Sequence, residues 1–150
     1  MRIALWVAVL ISGCSHPFTG VWAGTISQSL SCDDGSTQGF QLSDEEWVIA
    51  DNNDGLQVAT GGDCGVLIAQ VSQRTSANVA GKDCKGGTTF GGGSYSESLT
   101  SGTLNMDENM TLFGVTLTSA LTYRNSNGFK VRGCDNKWAG KFVFKDKPQR

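Results

Sequence analysis

Phe18-Thr19-Gly20-Val21-Trp22-Ala23-Gly24-Thr25-Ile26-Ser27-Gln28-Ser29-Leu30 is the stretch that decides the fold class. Phe18, Gly20, Trp22, Gly24, Ile26 and Leu30 fall on one face of an extended chain, and Thr19, Thr25, Ser27 and Ser29 on the other. Side chains of a strand alternate between faces with period two, so this pattern is a strand with one dry side and one wet side.

The same reading carries along the chain. Strands are expected over 39–42, 47–50 and 56–60, with turns rich in Asp, Asn and Gly between them. A hairpin pairs 66–71 with 77–82 around Arg74 and Thr75, and a longer one pairs 96–106 with 110–123, where Phe113, Val115, Leu117, Leu121 and Tyr123 share a face. The last expected pair is 129–133 and 138–145, with Phe129, Val131, Trp138, Phe142 and Phe144 inward. Glycine is frequent (20 of 150 residues), proline occurs twice, and no long 3.6-residue period appears. The fold expected is all-β: a small antiparallel up-and-down barrel of about 8–10 short strands, because closure removes the unpaired edges that a helix-free sheet would expose. Trp22, Phe113, Trp138, Phe142 and Phe144 would fill its interior, with Trp22 and Trp138 as core or barrel-end residues.

Near the amino terminus, Ile3 to Ile11 is an uncharged apolar run after Arg2. Nine helical residues span only about 14 Å against a hydrocarbon layer of roughly 30 Å, so the run is too short to cross a bilayer and has the length of a signal core. Leu10-Ile11-Ser12-Gly13-Cys14 follows, small residues before a cysteine. It resembles the lipobox of bacterial lipoproteins. The resemblance implies a signal peptide over 1–13, cleavage before Cys14, lipidation of Cys14, a tether over 14–17 and a barrel domain over 18–147. Two or three acyl chains suffice for stable anchoring. Ser15, in place of the aspartate that commonly retains enteric lipoproteins, points to the outer membrane, facing the periplasm or the surface.

With Cys14 assigned to lipid, Cys32, Cys64, Cys84 and Cys134 remain, an even number in an exported chain. Four cysteines allow three pairings. A hairpin centred on residue 74 sets Cys64 opposite Cys84, which favours Cys64–Cys84 and leaves Cys32–Cys134 to tie the first strand to the last. Loops of these sizes would contribute about 3 and about 4.7 kcal/mol. A zinc site lacks Cys-X-X-Cys spacing, and the sole histidine, His16, is in the tether. The Asp51-Asn52-Asn53-Asp54-Gly55 turn lacks the distant glutamate of a calcium loop. The Gly86-to-Gly93 segment, which reads as a surface loop, lacks the Gly-Lys-Ser/Thr ending of a phosphate loop. No metal or cofactor is expected.

Gly20-Val21-Trp22 resembles the Gly-X-Trp signature of calycins, the lipocalin-like barrels, where the tryptophan plugs one barrel end beneath an arginine of the last strand. That resemblance implies the same barrel and a carrier of a small apolar ligand. The chain has no Thr-Asp-Tyr motif, and its last-strand cations such as Lys141 alternate outward.

Charge is unevenly divided. Residues 14–123 hold twelve acidic groups against Arg74, Lys82 and Lys85 (3 − 12 = −9), while 124–150 hold eight basic groups against Asp135 and Asp146 (8 − 2 = +6). Lys130, Arg132, Lys137, Lys141 and Lys145 are expected to form one outward stripe. It would either dock an anionic envelope component or acidic protein, or blunt a seam strand by pairing with neighbouring carboxylates. Nucleic acid does not suit a net-negative protein outside the cytoplasm. No histidine base lies in the folded part, and Asp33-Asp34 and Asp44-Glu45-Glu46 sit in solvated turns, so no enzyme is expected. The expected function is that of a non-enzymatic, lipid-anchored binding module of the cell envelope. The alternatives are the apolar-ligand carrier and an inhibitor of lysozyme or a secreted protease.

Overall fold

The structure, a computed structural model, describes residues 15–53 and 55–146; Cys14 and the signal segment lie outside the described residues. Ten strands and no helix are present among them: β1 (Gly20–Cys32), β2 (Thr37–Asn52), β3 (Gly55–Ala59), β4 (Val66–Gln73), β5 (Ser76–Val79), β6 (Lys82–Asp83), β7 (Gly87–Thr88), β8 (Ser94–Met106), β9 (Leu112–Arg124) and β10 (Lys130–Asp146). Consecutive strands pair antiparallel from β1 to β5. Strand β5 then pairs with β8, β8 with β9, β9 with β10, and β10 returns to β1. The result is the all-β, up-and-down closed barrel that the alternation predicts. Eight strands close it, and the two-residue β6 and β7 attach to β8 beyond the ring.

Several strands run longer than expected. The segments 39–42 and 47–50 are parts of one strand, β2, and the expected pair 129–133 and 138–145 is the single strand β10. Cys134-Asp135-Asn136-Lys137 pairs with both neighbours and needs no turn. Because β10 is one continuous strand, Arg132 keeps the inward parity of Cys134, Asn136, Trp138 and Phe142 while Val131 falls on the outward one, and the ladder becomes irregular only before Arg132. Phe129 and Val131, expected inward, are exposed, while Arg132 joins the inner face.

The ladders stack the interior in layers. Met106, Phe113 and Phe142 face one another, with Trp22 opposite Trp47 alongside them, followed by Leu104, Val115 and Ile26. Phe113 lies parallel to Phe142 at 5.0 Å and edge-on to Trp22 at 4.8 Å, and Trp47 packs on Phe142 at 4.5 Å. Such pairs add about 0.5–1.5 kcal/mol each beyond their buried area. Trp22 Nε1 donates to the Phe18 carbonyl at 2.8 Å, so the buried indole leaves no polar atom open. Gly24 makes this layer possible: a Cβ there would lie 2.8 Å from the Phe142 ring and 2.1 Å from the Lys141 carbonyl.

Strands β3, β4 and β5 are 5, 8 and 4 residues long, against 13–17 for β1, β2, β8, β9 and β10. The short strands pair near the aromatic layers, so the long ones overhang at the opposite end. Two disulfides tie that region, in the pairing favoured from the cysteine positions. Cys32–Cys134 joins directly opposed residues of β1 and β10, and Cys64–Cys84 joins the loops after β3 and β6.

Candidate functional site

Beyond the layer of Gly102, Leu117 and Trp138 the inward residues become polar. Leu99, Ser119 and Asn136 form the next layer, then Glu97, Leu121 and Cys134, then Tyr95, Tyr123 and Arg132. These line an open barrel mouth holding a cleft of about 620 Å³, whose walls include Tyr95, Glu97, Tyr123 and Trp138, with Gly62, Asp63 and Phe90 contributed by loops. Clefts of roughly 300–1,000 Å³ with a few convergent polar groups are the usual form of a ligand site. A small extension lined by Gln28, Leu30, Gln41 and Tyr123 continues it along β1 and β2.

Glu97 is 6% exposed and Asn136 is fully buried. Ser119 Oγ donates a very short hydrogen bond to Glu97 Oε1, and Asn136 Nδ2 donates to the same oxygen at 3.3 Å. Two donors converging on one oxygen fit a carboxylate. Two buried atoms nearby have no partner: Asn136 Oδ1 and Trp138 Nε1. An unpartnered buried hydrogen-bonding group costs about 1–3 kcal/mol, so the polar layer beneath the mouth is one the fold holds at some cost.

Loops complete the mouth. The Cys64–Cys84 bridge and the Lys85 N–H to Asp63 carbonyl bond, 2.9 Å, fix the Gly62-Asp63 wall. Tyr95 Oη donates to Asp63 Oδ2 at 3.3 Å, and its phenol is held above its ordinary pKa, chiefly by the Asp63 charge, then by desolvation, with Glu97 adding to the same effect. The glycine-rich segment forms β7 against Ser94 and Tyr95 and raises Phe90, wholly exposed, at the rim. Cys64, Cys84 and Glu97 bring three metal-type donor atoms together, but both sulfurs are committed to the disulfide.

Lys137, Lys141 and Lys145 share the outward face of β10 as expected, but Arg132 does not, so the five basic residues do not form one stripe. Lys130 pairs with Asp33 at 3.3 Å, Arg132 with Asp34 at 3.9 Å, and Lys145 with Glu46 at 2.5 Å. Arg132 lies on the inner face with its guanidinium 4.6 Å from the Tyr123 ring centre. Lys137 and Lys141 are exposed opposite Ser29 and Thr25 of β1 and take part in none of these pairs. The acidic runs are likewise occupied. Asp33 accepts the Gly133 N–H, and Asp34 the Ser36 hydroxyl and then its N–H, and these bonds are the leading reasons that both carboxyls titrate below their ordinary range. Glu45 accepts the Trp47 indole N–H at 2.6 Å. Trp22 is buried at the closed end, whereas Trp138 is half-buried between the core and the mouth. His16 stacks on Phe18 and its backbone N–H reaches Asp51, away from the mouth; burial lowers its pKa.

Sequence reasoning missed Glu97, Ser119 and Asn136. Their signal was the polar interruption of otherwise apolar inward positions: Ser119 between Leu117 and Leu121, and Asn136 between Cys134 and Trp138. No protein-family model matches the chain, and no curated protein matches its sequence. The fold and the site therefore define the class by themselves: a disulfide-tied β-barrel closed by aromatics at one end and open, polar and concave at the other.

Proposed function

We propose that the protein is a non-enzymatic binding module of the cell envelope, anchored through lipid on Cys14 and engaging its partner or ligand at the barrel mouth. The observation that carries this reading is the cleft itself, with unpartnered Asn136 Oδ1 and Trp138 Nε1 beside buried Glu97. The lipobox and the even remainder of cysteines support the address, at an outer membrane facing the periplasm or the surface. His16 and Phe18 lie at the closed end, so an anchor two residues before His16 would present the mouth away from the bilayer.

The calycin-like reading accounts for Trp22 at the closed end, where Phe144 packs edge-on at 5.2 Å in the place that calycins give to an arginine. A carrier of a wholly apolar ligand fits less well. The barrel interior is filled by Trp22, Trp47, Phe113 and Phe142, and the cleft above it holds a buried carboxylate.

Two experiments test the reading. Metabolic palmitate should label the wild-type chain and not Cys14→Ala; an unlabelled, uncut wild-type chain would remove the anchor. A photocrosslinking residue at Phe90 should yield a conjugate in the native envelope that Trp138→Ala suppresses. Conjugates only from a crosslinker at Val143, on the outer wall, would remove the mouth as the site.

A further inference from the structure

The mouth concentrates negative charge that the fold leaves without a counter-ion. The three ion pairs among the described residues use Asp33, Asp34 and Glu46, and none uses Glu97 or Asp63. A buried carboxylate held only by neutral donors remains incompletely compensated, because removing its hydration costs several kcal/mol. Glu97 is in that position, with Ser119 and Asn136 as its hydrogen-bond donors. Both unpaired acids act on Tyr95 in the direction that a negative local potential requires.

Around the carboxylates the walls are aromatic. Tyr95 and Tyr123 stand 6.2 Å apart, and Trp138 and Phe90 complete the surround. Aromatic faces attract cations through the ring quadrupole, most strongly where water is excluded. The chain already does this once: Arg132 sits on Tyr123 at the outermost layer, with Asp34 as its acid. One layer deeper, Glu97, with the Tyr95 ring of the outermost layer above it, offers a similar combination of acid and ring with no cation supplied by the chain.

We propose that the mouth binds a ligand bearing a cationic nitrogen group, an ammonium or guanidinium, that pairs with Glu97 while its apolar stem lies against Tyr95 and Trp138. The cation would supply the missing counter-charge, its N–H groups donating to the Glu97 carboxylate in charge-assisted hydrogen bonds. This rests on the mouth being the binding site. The same group could arrive on a free small molecule or on a basic side chain of a partner protein.

Isothermal titration of the full, disulfide-bonded chain in detergent micelles separates these cases. The small-molecule arm compares butylguanidinium with butylurea, its neutral isostere. The protein arm compares a short blocked peptide centred on arginine with the same peptide carrying citrulline. In at least one arm the cation should bind about tenfold or more tightly than its isostere. Glu97→Gln, which keeps the shape and a hydrogen-bond acceptor, should bring that ratio close to one, while Glu97→Asp retains part of it. Unchanged near-ultraviolet circular dichroism and thermal midpoint show that the variant is folded. Selectivity in the first arm alone identifies a free cation as the ligand, and selectivity in the second alone identifies a basic side chain. Equal binding of cation and isostere, selectivity that survives Glu97→Gln, or no binding by any cationic probe would overturn the proposal. In the case of equal binding, loss with Trp138→Ala would leave the mouth standing as a site and remove only its charge preference.

Discussion

The two ends of this barrel are built from the same eight strands and solve opposite problems. At the closed end the inward positions are apolar, the indole of Trp22 is bonded internally, and the rings of Trp22, Trp47, Phe113 and Phe142 fit against one another over the small Gly24. At the open end the same inward alternation presents Glu97, Ser119 and Asn136, and two polar atoms stay without partners. Stability is therefore concentrated at one end and chemical potential for binding at the other. Register is what separates them, since each layer is fixed by the ladder positions of β8, β9 and β10.

The sharpest way to break the comparison is to release the overhanging strands. Replacing both Cys32 and Cys134 by alanine removes a link across 102 residues and should cost about 4–5 kcal/mol in urea unfolding. The mouth should loosen first, seen as faster amide exchange in 119–123 and 133–138 than around Phe113. Next in size, Phe113→Ala empties the centre of the aromatic cluster and should cost about 3–5 kcal/mol. At the same temperature below its midpoint, the folded variant should keep its mouth geometry.

The opposite outcome is expected at the open end. Substituting Glu97 and Asn136 by leucine together with Ser119 by alanine removes the whole buried polar set, and replacing all members of such a set by apolar groups is commonly neutral or stabilising. The urea midpoint should stay level or rise while ligand binding is lost. A drop as large as that of Phe113→Ala would show that the polar layer holds the fold and is not reserved for binding.

How far these ends were legible in the sequence differs for the same physical reason. The closed end follows from clean alternation in β1 and β9, where Trp22, Ile26, Phe113 and Val115 recur every second or fourth residue. The open end breaks that pattern at Ser119 and Asn136, and a break in alternation looks like a turn or an exposed position until pairing is known. Hence β10 reads as two strands from its sequence, and Arg132 as outward, although in the continuous strand it shares the inward parity of Trp138 and Phe142. Cysteine pairing was accessible because a hairpin centred at residue 74 fixes distances across it. The depth of the mouth was not, because it depends on β3, β4 and β5 being shorter than their neighbours.

A smaller effect separates the turns from both ends. Asp107 accepts the N–H groups of Thr111 and Leu112, each at 2.9 Å, and, like Asp33 and Asp34, titrates below its ordinary range, in its case chiefly through the Leu112 bond. A folded pKa below the unfolded value means stability that is complete above the unfolded aspartate value of about 3.9 and lost as pH falls through the folded values. The urea midpoint should therefore fall on acidification below about pH 4. Asp107→Asn should show a shallower fall than the wild type.

The division between a packing end and a binding end is tested most directly by backbone amide shifts in the full chain during titrations with butylguanidinium and with the blocked arginine peptide. Perturbations should cluster at Gly62, Asp63, Thr88 to Phe90, Tyr95 to Glu97, Leu121 to Tyr123 and Trp138, with Trp22, Trp47 and Phe113 unmoved. Shifts centred on Lys137 and Lys141 of the outer wall, on the aromatic end, or nowhere would contradict it.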